Sequence, residues 1–139
     1  MPVLVLDTSV LVSALLGPGG ASREVLRRCL NAEYVPLMGE ALYAEHEAVL
    51  SREQKFARCA LPSRERAELL DAYLRGCRWT KVYFLWRPNL PDESDNHLVE
   101  LAMAGGAEVI VTKNVRDIRA GELKFPGLRI LKPEQLLKG

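Results

Sequence analysis

The sequence is poor in cysteine and has no long apolar run, and each scarcity narrows what it can be. Cys29, Cys59 and Cys77 are odd in number, widely spaced and without a CxxC pair. This argues against a disulfide framework and a thiolate zinc site, and leaves three reduced thiols that act as small buried hydrophobes of a cytoplasmic protein. No apolar stretch approaches the roughly 20 residues that span a bilayer, so no membrane is expected as a partner. The N-terminus has neither a basic leader nor a small-residue cleavage site. Val3 to Leu6 runs straight into Asp7 and reads as a strand instead. There is also no internal repeat, low-complexity tract or linker. At 139 residues, one domain spanning 1–139 with a single core is expected.

Net charge is +1, which by itself argues neither for nor against nucleic acid. Its distribution says more. Between Arg52 and Arg87 nine basic residues stand against four acids, a net of +5 that leaves −4 for the rest of the chain. A basic segment beside an acidic remainder suits phosphate contact, with Arg52 and Lys55 as candidates. A solvated helical face explains the same residues equally well.

Along the chain, Val3 to Leu6 is the continuous apolar run of a strand buried on both faces. Val10 to Leu16 follows and is broken at Gly17. Ser22 is expected to cap a helix from Arg23 to Leu30, with Val25, Leu26, Cys29 and Leu30 on one face. Tyr34 to Leu37 reads as a strand, and Glu40 to Ser51 as a helix with Leu42, Glu45, Val49 and Leu50 on one stripe. Another helix opens at Pro62 and Ser63 and ends at Gly76. Trp79 to Trp86 has the composition of a strand. Asp92 to Asp95 leads into a helix ended by Gly105 and Gly106. Val109 to Thr112 and Leu128 to Leu131 are further strands, and Pro133 starts a last helix. Strands alternating with helices predict an α/β doubly wound sheet.

Such sheets bind ligands outside the carboxyl ends of their strands. Asp7 follows the first strand directly. Thr112 and Asn114 close a later one, with Asp117 shortly beyond, while Asp92 and Asp95 open the intervening helix. Glu45 falls on an apolar stripe, where an acid is costly without a proton, a partner or a metal. Each has a plainer reading: Asp7 and Asp92 as caps, Asn114 and Asp117 as an Asx-turn, Ser9 and Thr112 as turn hydroxyls, Glu45 as a snorkelling or Arg-paired acid. His46 and His97 lack a second histidine at ligand spacing and read as surface or core residues. Two unit charges about 4 Å apart repel by roughly 4 kcal/mol at an effective dielectric near 20. Several converging acids therefore bind protons or a cation, and oxygen ligands suit Mg²⁺ or Mn²⁺ rather than zinc.

Four stretches taken together resemble the PIN-domain family. Val5 to Val12 is similar to its opening strand, an apolar run ending in Asp7-Thr8. Glu45 to Arg52 is similar to its second-motif helix. Pro91 to Ala102, with Asp92, Asp95, Leu98 and Ala102, is similar to the third motif, and Val109 to Asp117 to the last. The motifs come in family order and cover the chain end to end. The resemblance implies a single-domain three-layer α/β/α fold with a five-stranded parallel sheet. It also implies Mg²⁺- or Mn²⁺-dependent cleavage of RNA. Among PIN domains the chain looks most like the toxins of toxin–antitoxin pairs, so an antitoxin protein and a homodimer are the implied protein partners. Carried over, the metal ligands are Asp7, Glu45 and Asp95, with Asp92 or Asp117 as a further acid and Ser9 and Thr112 in support. Asn114 stands where many members have an acid, so Asp117 or Asp92 would substitute.

Three other readings share pieces of this pattern. A receiver-type phosphoacceptor needs an Asp ending a middle strand, and neither Tyr34–Leu37 nor Trp79–Trp86 is followed by one at the right place. A haloacid-dehalogenase phosphatase needs an acid at position 9, where Ser9 stands. A non-catalytic PIN-like scaffold would bind RNA or protein without cutting.

Overall fold

The apolar runs become strands of one sheet. A computed structural model describes residues 2–17, 20–52, 59, 61–82, 96–118 and 127–138 of the chain. In it β1 (Val3–Leu6), β2 (Val35–Met38), β3 (Arg78–Trp79), β4 (Val109–Val111) and β5 (Arg129–Leu131) pair in the order β3-β2-β1-β4-β5. Every pairing is parallel, as expected. A receiver-like sheet has the order 2-1-3-4-5, with its third strand central. Here β1 is central, which removes that alternative. Leu4, Val5, Leu6, Leu37, Met38, Ile110 and Val111 are fully buried, as strands covered on both faces must be.

Seven helices complete the described structure: α1 (Thr8–Leu16), α2 (Ala21–Leu30), α3 (Glu40–Leu50), α4 (Ser63–Gly76), α5 (Asn96–Gly105), α6 (Val115–Ile118) and α7 (Pro133–Lys138). Strand order moves one way from β1 to β3 and the other way from β3 to β5. Right-handed crossovers therefore put α1, α2 and α4 on one face and α5 on the other. The packing agrees: α2 lies against α1, α4 and α7, whereas α5 lies against β1, β2 and β4. Helix α3 touches both α1 and α5, so it bridges the two layers. At the end of α5, a Cβ on Gly105 would collide with the Leu37 side chain of β2. Gly106 then takes φ 70°, and the Ala107 N–H returns to Ala102 O at 2.8 Å, a Schellman stop that only glycine enters cheaply.

Several boundaries differ from the sequence reading. Val10 to Leu16 is helical, and α1 starts one residue after Asp7 without a loop. Its apolar residues continue past the buried face of Val10, Leu11, Ala14 and Leu15 to the half-buried Val12 and the exposed Leu16, so no amphipathic period marks it. Ser22 does not cap α2: the helix starts at Ala21 with Gly20 at the N-cap, and Ser22 is buried inside it. Leu30 is 37% exposed and leaves the core face to Val25, Leu26 and Cys29. Strand β2 runs one residue later than expected and β3 begins one residue earlier. Residues 83–86 of the expected third strand lie outside the described residues. Cys29 and Cys77 are buried and Cys59 is half-buried, and all three are free. Among the described residues no helix is long and apolar enough to cross a membrane.

Candidate active site

Chain direction across the sheet reverses between β1 and β4, and the carboxyl ends of those strands are where an open sheet of this kind forms a crevice. Leu6 is in register with Val111, so Asp7 and Thr112 emerge side by side. The Asp7 N–H donates to Val111 O and the Thr112 N–H to Leu131 O, both at 2.9 Å. Asp7 is only 5% exposed. Its carboxylate does not cap α1. Instead Oδ2 accepts two hydroxyl protons, from Thr112 Oγ1 at 2.7 Å and Ser9 Oγ at 2.9 Å.

Each hydroxyl is itself fixed by a backbone amide. The Asn114 N–H donates to Thr112 Oγ1 at 3.0 Å, and the Lys113 N–H to Ser9 Oγ at 3.2 Å. An amide occupying a hydroxyl's lone pair leaves its proton directed at the acid, and such chains polarise one another. Both hydroxyls hold the same oxygen, so the carboxylate is oriented while Oδ1 stays outside that pair of bonds. Lys113 Nζ reaches Ser13 Oγ at 3.2 Å, which puts one cation at the rim.

The second acid comes from α3. Glu45 is half-buried, and its Oε2 meets His97 Nε2 of α5 at 2.7 Å. That contact, above all, holds the Glu45 carboxyl below its ordinary range, with the Thr8 hydroxyl assisting. Thr8 Oγ1 also lies 2.8 Å from Nδ1 of the fully buried His46. Burial pushes the His46 pKa down to about 4, which keeps the ring neutral. Thr8 thus ties the start of α1, next to Asp7, to the Glu45 segment of α3. Glu45 needed a partner, and it is a histidine.

Of the other expected residues, Asn114 contributes its backbone N–H and leaves its side chain exposed. Asp117 lies on α6, but its side chain is outside the described residues, as are Asp92, Asp95 and Lys55. Arg52 is exposed just past α3. On α4, Arg64 pairs with Glu68 and Arg75 with Asp71, one turn apart and well exposed, so part of the basic segment is a solvated face. Among the described residues no three His, Cys, Asp or Glu side chains come together. Of the expected acids, Asp7 and Glu45 are described, and their sequence neighbours Thr8 and His46 are in contact. Both acids offer hard carboxylate oxygens, the donor type that suits Mg²⁺ or Mn²⁺.

Sequence reasoning missed Thr8, His46 and His97. One signal was present: Leu42 and His46 are four apart, so the centre of the buried face of α3 runs through His46.

A five-stranded parallel sheet of this order, with an aspartate clamped at its switch point and a glutamate on the helix whose His46 meets Thr8, defines a PIN-like α/β domain. The chain belongs to the PIN-domain family, whose model matches residues 3–116. No curated protein matches it in sequence. Its fold is similar to that of VapBC2 from Rickettsia felis bound to a DNA fragment from their promoter. That likeness has a TM-score of 0.61 and 14% identity and covers 92% of this chain and 96% of that one. It is also similar to PAE2754 from Pyrobaculum aerophilum, with a TM-score of 0.62, 17% identity and coverage of 99% and 88%. At these identities the likeness is one of fold.

Proposed function

We propose that this protein is a metal-dependent ribonuclease that hydrolyses RNA phosphodiesters and serves as the toxin of a toxin–antitoxin pair in the cytoplasm. The observation that carries the reading is the Asp7 carboxylate, buried at the switch point and held on one oxygen by Ser9 and Thr112. A structural cap would not need two oriented hydroxyls. Asp7 and Glu45 would hold Mg²⁺ or Mn²⁺, with Asp95 and either Asp92 or Asp117 completing the set. The ion would acidify a water and offset charge developing on the phosphoryl group. Ser9 and Thr112 orient Asp7, and His97 orients Glu45 through the bond at 2.7 Å. Arg52 and Lys55 would hold phosphates away from the cut.

Family membership supports the nuclease, and the fold likeness to VapBC2 supports pairing with an antitoxin. A homodimer is the other protein partner that this reading includes. The test is cleavage of single-stranded RNA by the full chain in Mg²⁺ or Mn²⁺, abolished by EDTA and restored by returning the ion. An equal rate in EDTA refutes metal dependence. Binding without cleavage in any metal returns the scaffold reading.

A further inference from the structure

A second cleft opens beside the acids. It has a volume of about 720 Å³ and is lined by Gly39, Trp79, Lys81, His97, Glu100 and Leu101 among others. Gly39 and Trp79 follow or end β2 and β3, so the cleft lies at the same carboxyl edge of the sheet as Asp7. His97 belongs to both places, since its Nε2 meets Glu45 while its ring lines the cleft.

Two side chains there are unexplained by the fold. Trp79 is 55% exposed, a large apolar surface left in water. Yet its ring is fixed, edge-on to Tyr43 with centroids 5.6 Å apart and with its Nε1–H donated to Leu74 O at 3.3 Å. An indole with its polar handle satisfied inward and its body outward is a ready stacking platform. Glu100 is the opposite case. It is only 7% exposed, and its Oε1 has no hydrogen-bond partner. A buried carboxylate oxygen without a donor is costly, and Glu100 lines the cleft, so a donor for its carboxylate would come from there. His97 Nδ1 is likewise without a partner.

We propose that this cleft is a base-specific subsite: Trp79 stacks a nucleobase of a single-stranded RNA, and Glu100 reads that base as guanine. A carboxylate only accepts hydrogen bonds. Guanine offers it two adjacent donors, the ring N1–H and the exocyclic amine. Adenine and cytosine set a ring acceptor beside their amine, which a carboxylate repels. Uracil has one N–H flanked by carbonyls. Stacking tolerates any base, so Trp79 supplies affinity and Glu100 supplies the choice. Lys81, exposed at the rim, is placed for a flanking phosphate. The inference rests on the ribonuclease reading for the polymer alone; the base contact itself needs no cleavage.

The test uses the full chain in EDTA. Labelled uridine pentamers carry guanosine, inosine or adenosine at the centre. Affinity is read by anisotropy, and stacking by quenching of Trp79 emission in a Trp86→Phe background. The guanosine strand is expected to bind on the order of tenfold tighter than the adenosine strand, with inosine, which lacks the amine, between them. Trp79→Ala should weaken every strand by on the order of tenfold, with partial rescue by Trp79→Phe. Glu100→Gln should equalise guanosine and adenosine while the quenching survives. Equal affinity of wild type for the three strands, or unchanged preference in Glu100→Gln, overturns the proposal. The inosine comparison leaves the protein untouched, so it decides even if Glu100→Gln does not fold. Preferential binding without cleavage in Mg²⁺ or Mn²⁺ would sink the nuclease and keep the subsite. Cleavage without base preference would do the reverse.

Discussion

Replacing Thr112 by valine tests whether the hydroxyl clamp on Asp7 is structural as well as orienting. Thr112 is fully buried, and Val has nearly the same shape, so packing is almost unchanged. Two bonds are lost: the 2.7 Å donation to Asp7 Oδ2 and the 3.0 Å acceptance from the Asn114 N–H. A hydrogen bond to a charged group contributes about 1.5–3 kcal/mol, and the partner left behind is buried. The expected loss is about 2–3 kcal/mol, a fall in Tm of roughly 10 °C for a chain of this size. Thr112→Ser keeps the oxygen and loses one methyl, which costs about 1 kcal/mol. Denaturant unfolding of the three proteins in EDTA reads the difference. The order wild type, Ser, Val is expected. Val as stable as wild type, or Ser less stable than Val, would show that Thr112 acts by packing alone and refute the clamp.

Acid should destabilise the fold through His46. The unfolded chain takes up that proton near 6.5 and the folded chain near 4, so this stability is intact above pH 6.5 and falls by roughly 3 kcal/mol as pH drops to 4. Glu45, held below its ordinary value chiefly by His97, adds a loss in the same direction at lower pH. Urea unfolding at stepped pH checks the slope, and a flat profile between 6.5 and 4 would contradict it. Gly105→Ala drives a methyl into Leu37 and should cost about 1–3 kcal/mol; thermal melts check this, and a neutral effect would mean that Leu37 moves aside freely. Mg²⁺ or Mn²⁺ at a hundred times its Kd should stabilise the wild type by about 2.7 kcal/mol and Asp95→Asn by less. Equal shifts in Tm would remove Asp95 from the site.

Most of the frame was legible because it is written locally. Val3–Leu6 and Val109–Val111 are short apolar runs that admit few structures other than buried strands, and a strand that ends in Asp7 puts that acid at the crevice by topology alone. Helix α1 was not legible: its apolar residues run past the buried face to Val12 and Leu16 and leave no period to detect, and it follows Asp7 without a turn. Glu45 was conspicuous as an acid among apolar neighbours, but its partner lies 52 residues away on α5. Nothing in the spacing of two lone histidines announces that one meets Thr8 and the other Glu45. Those contacts depend on α3 bridging the two helix layers, which only the folded chain shows. The same holds for Glu100, which reads as an ordinary helix residue until burial leaves Oε1 without a donor.

The most direct measurement of the central claim is single-turnover cleavage of a single-stranded RNA by wild type and Asp7→Asn at saturating Mn²⁺, with RNA affinity measured alongside. Asn nearly preserves the shape of the clamped side chain and removes its charge. The rate should fall on the order of a hundredfold or more while Kd for RNA changes little, because the acid acts chiefly on the transition state. Cleavage by Asp7→Asn at the wild-type rate would contradict the assignment of the site.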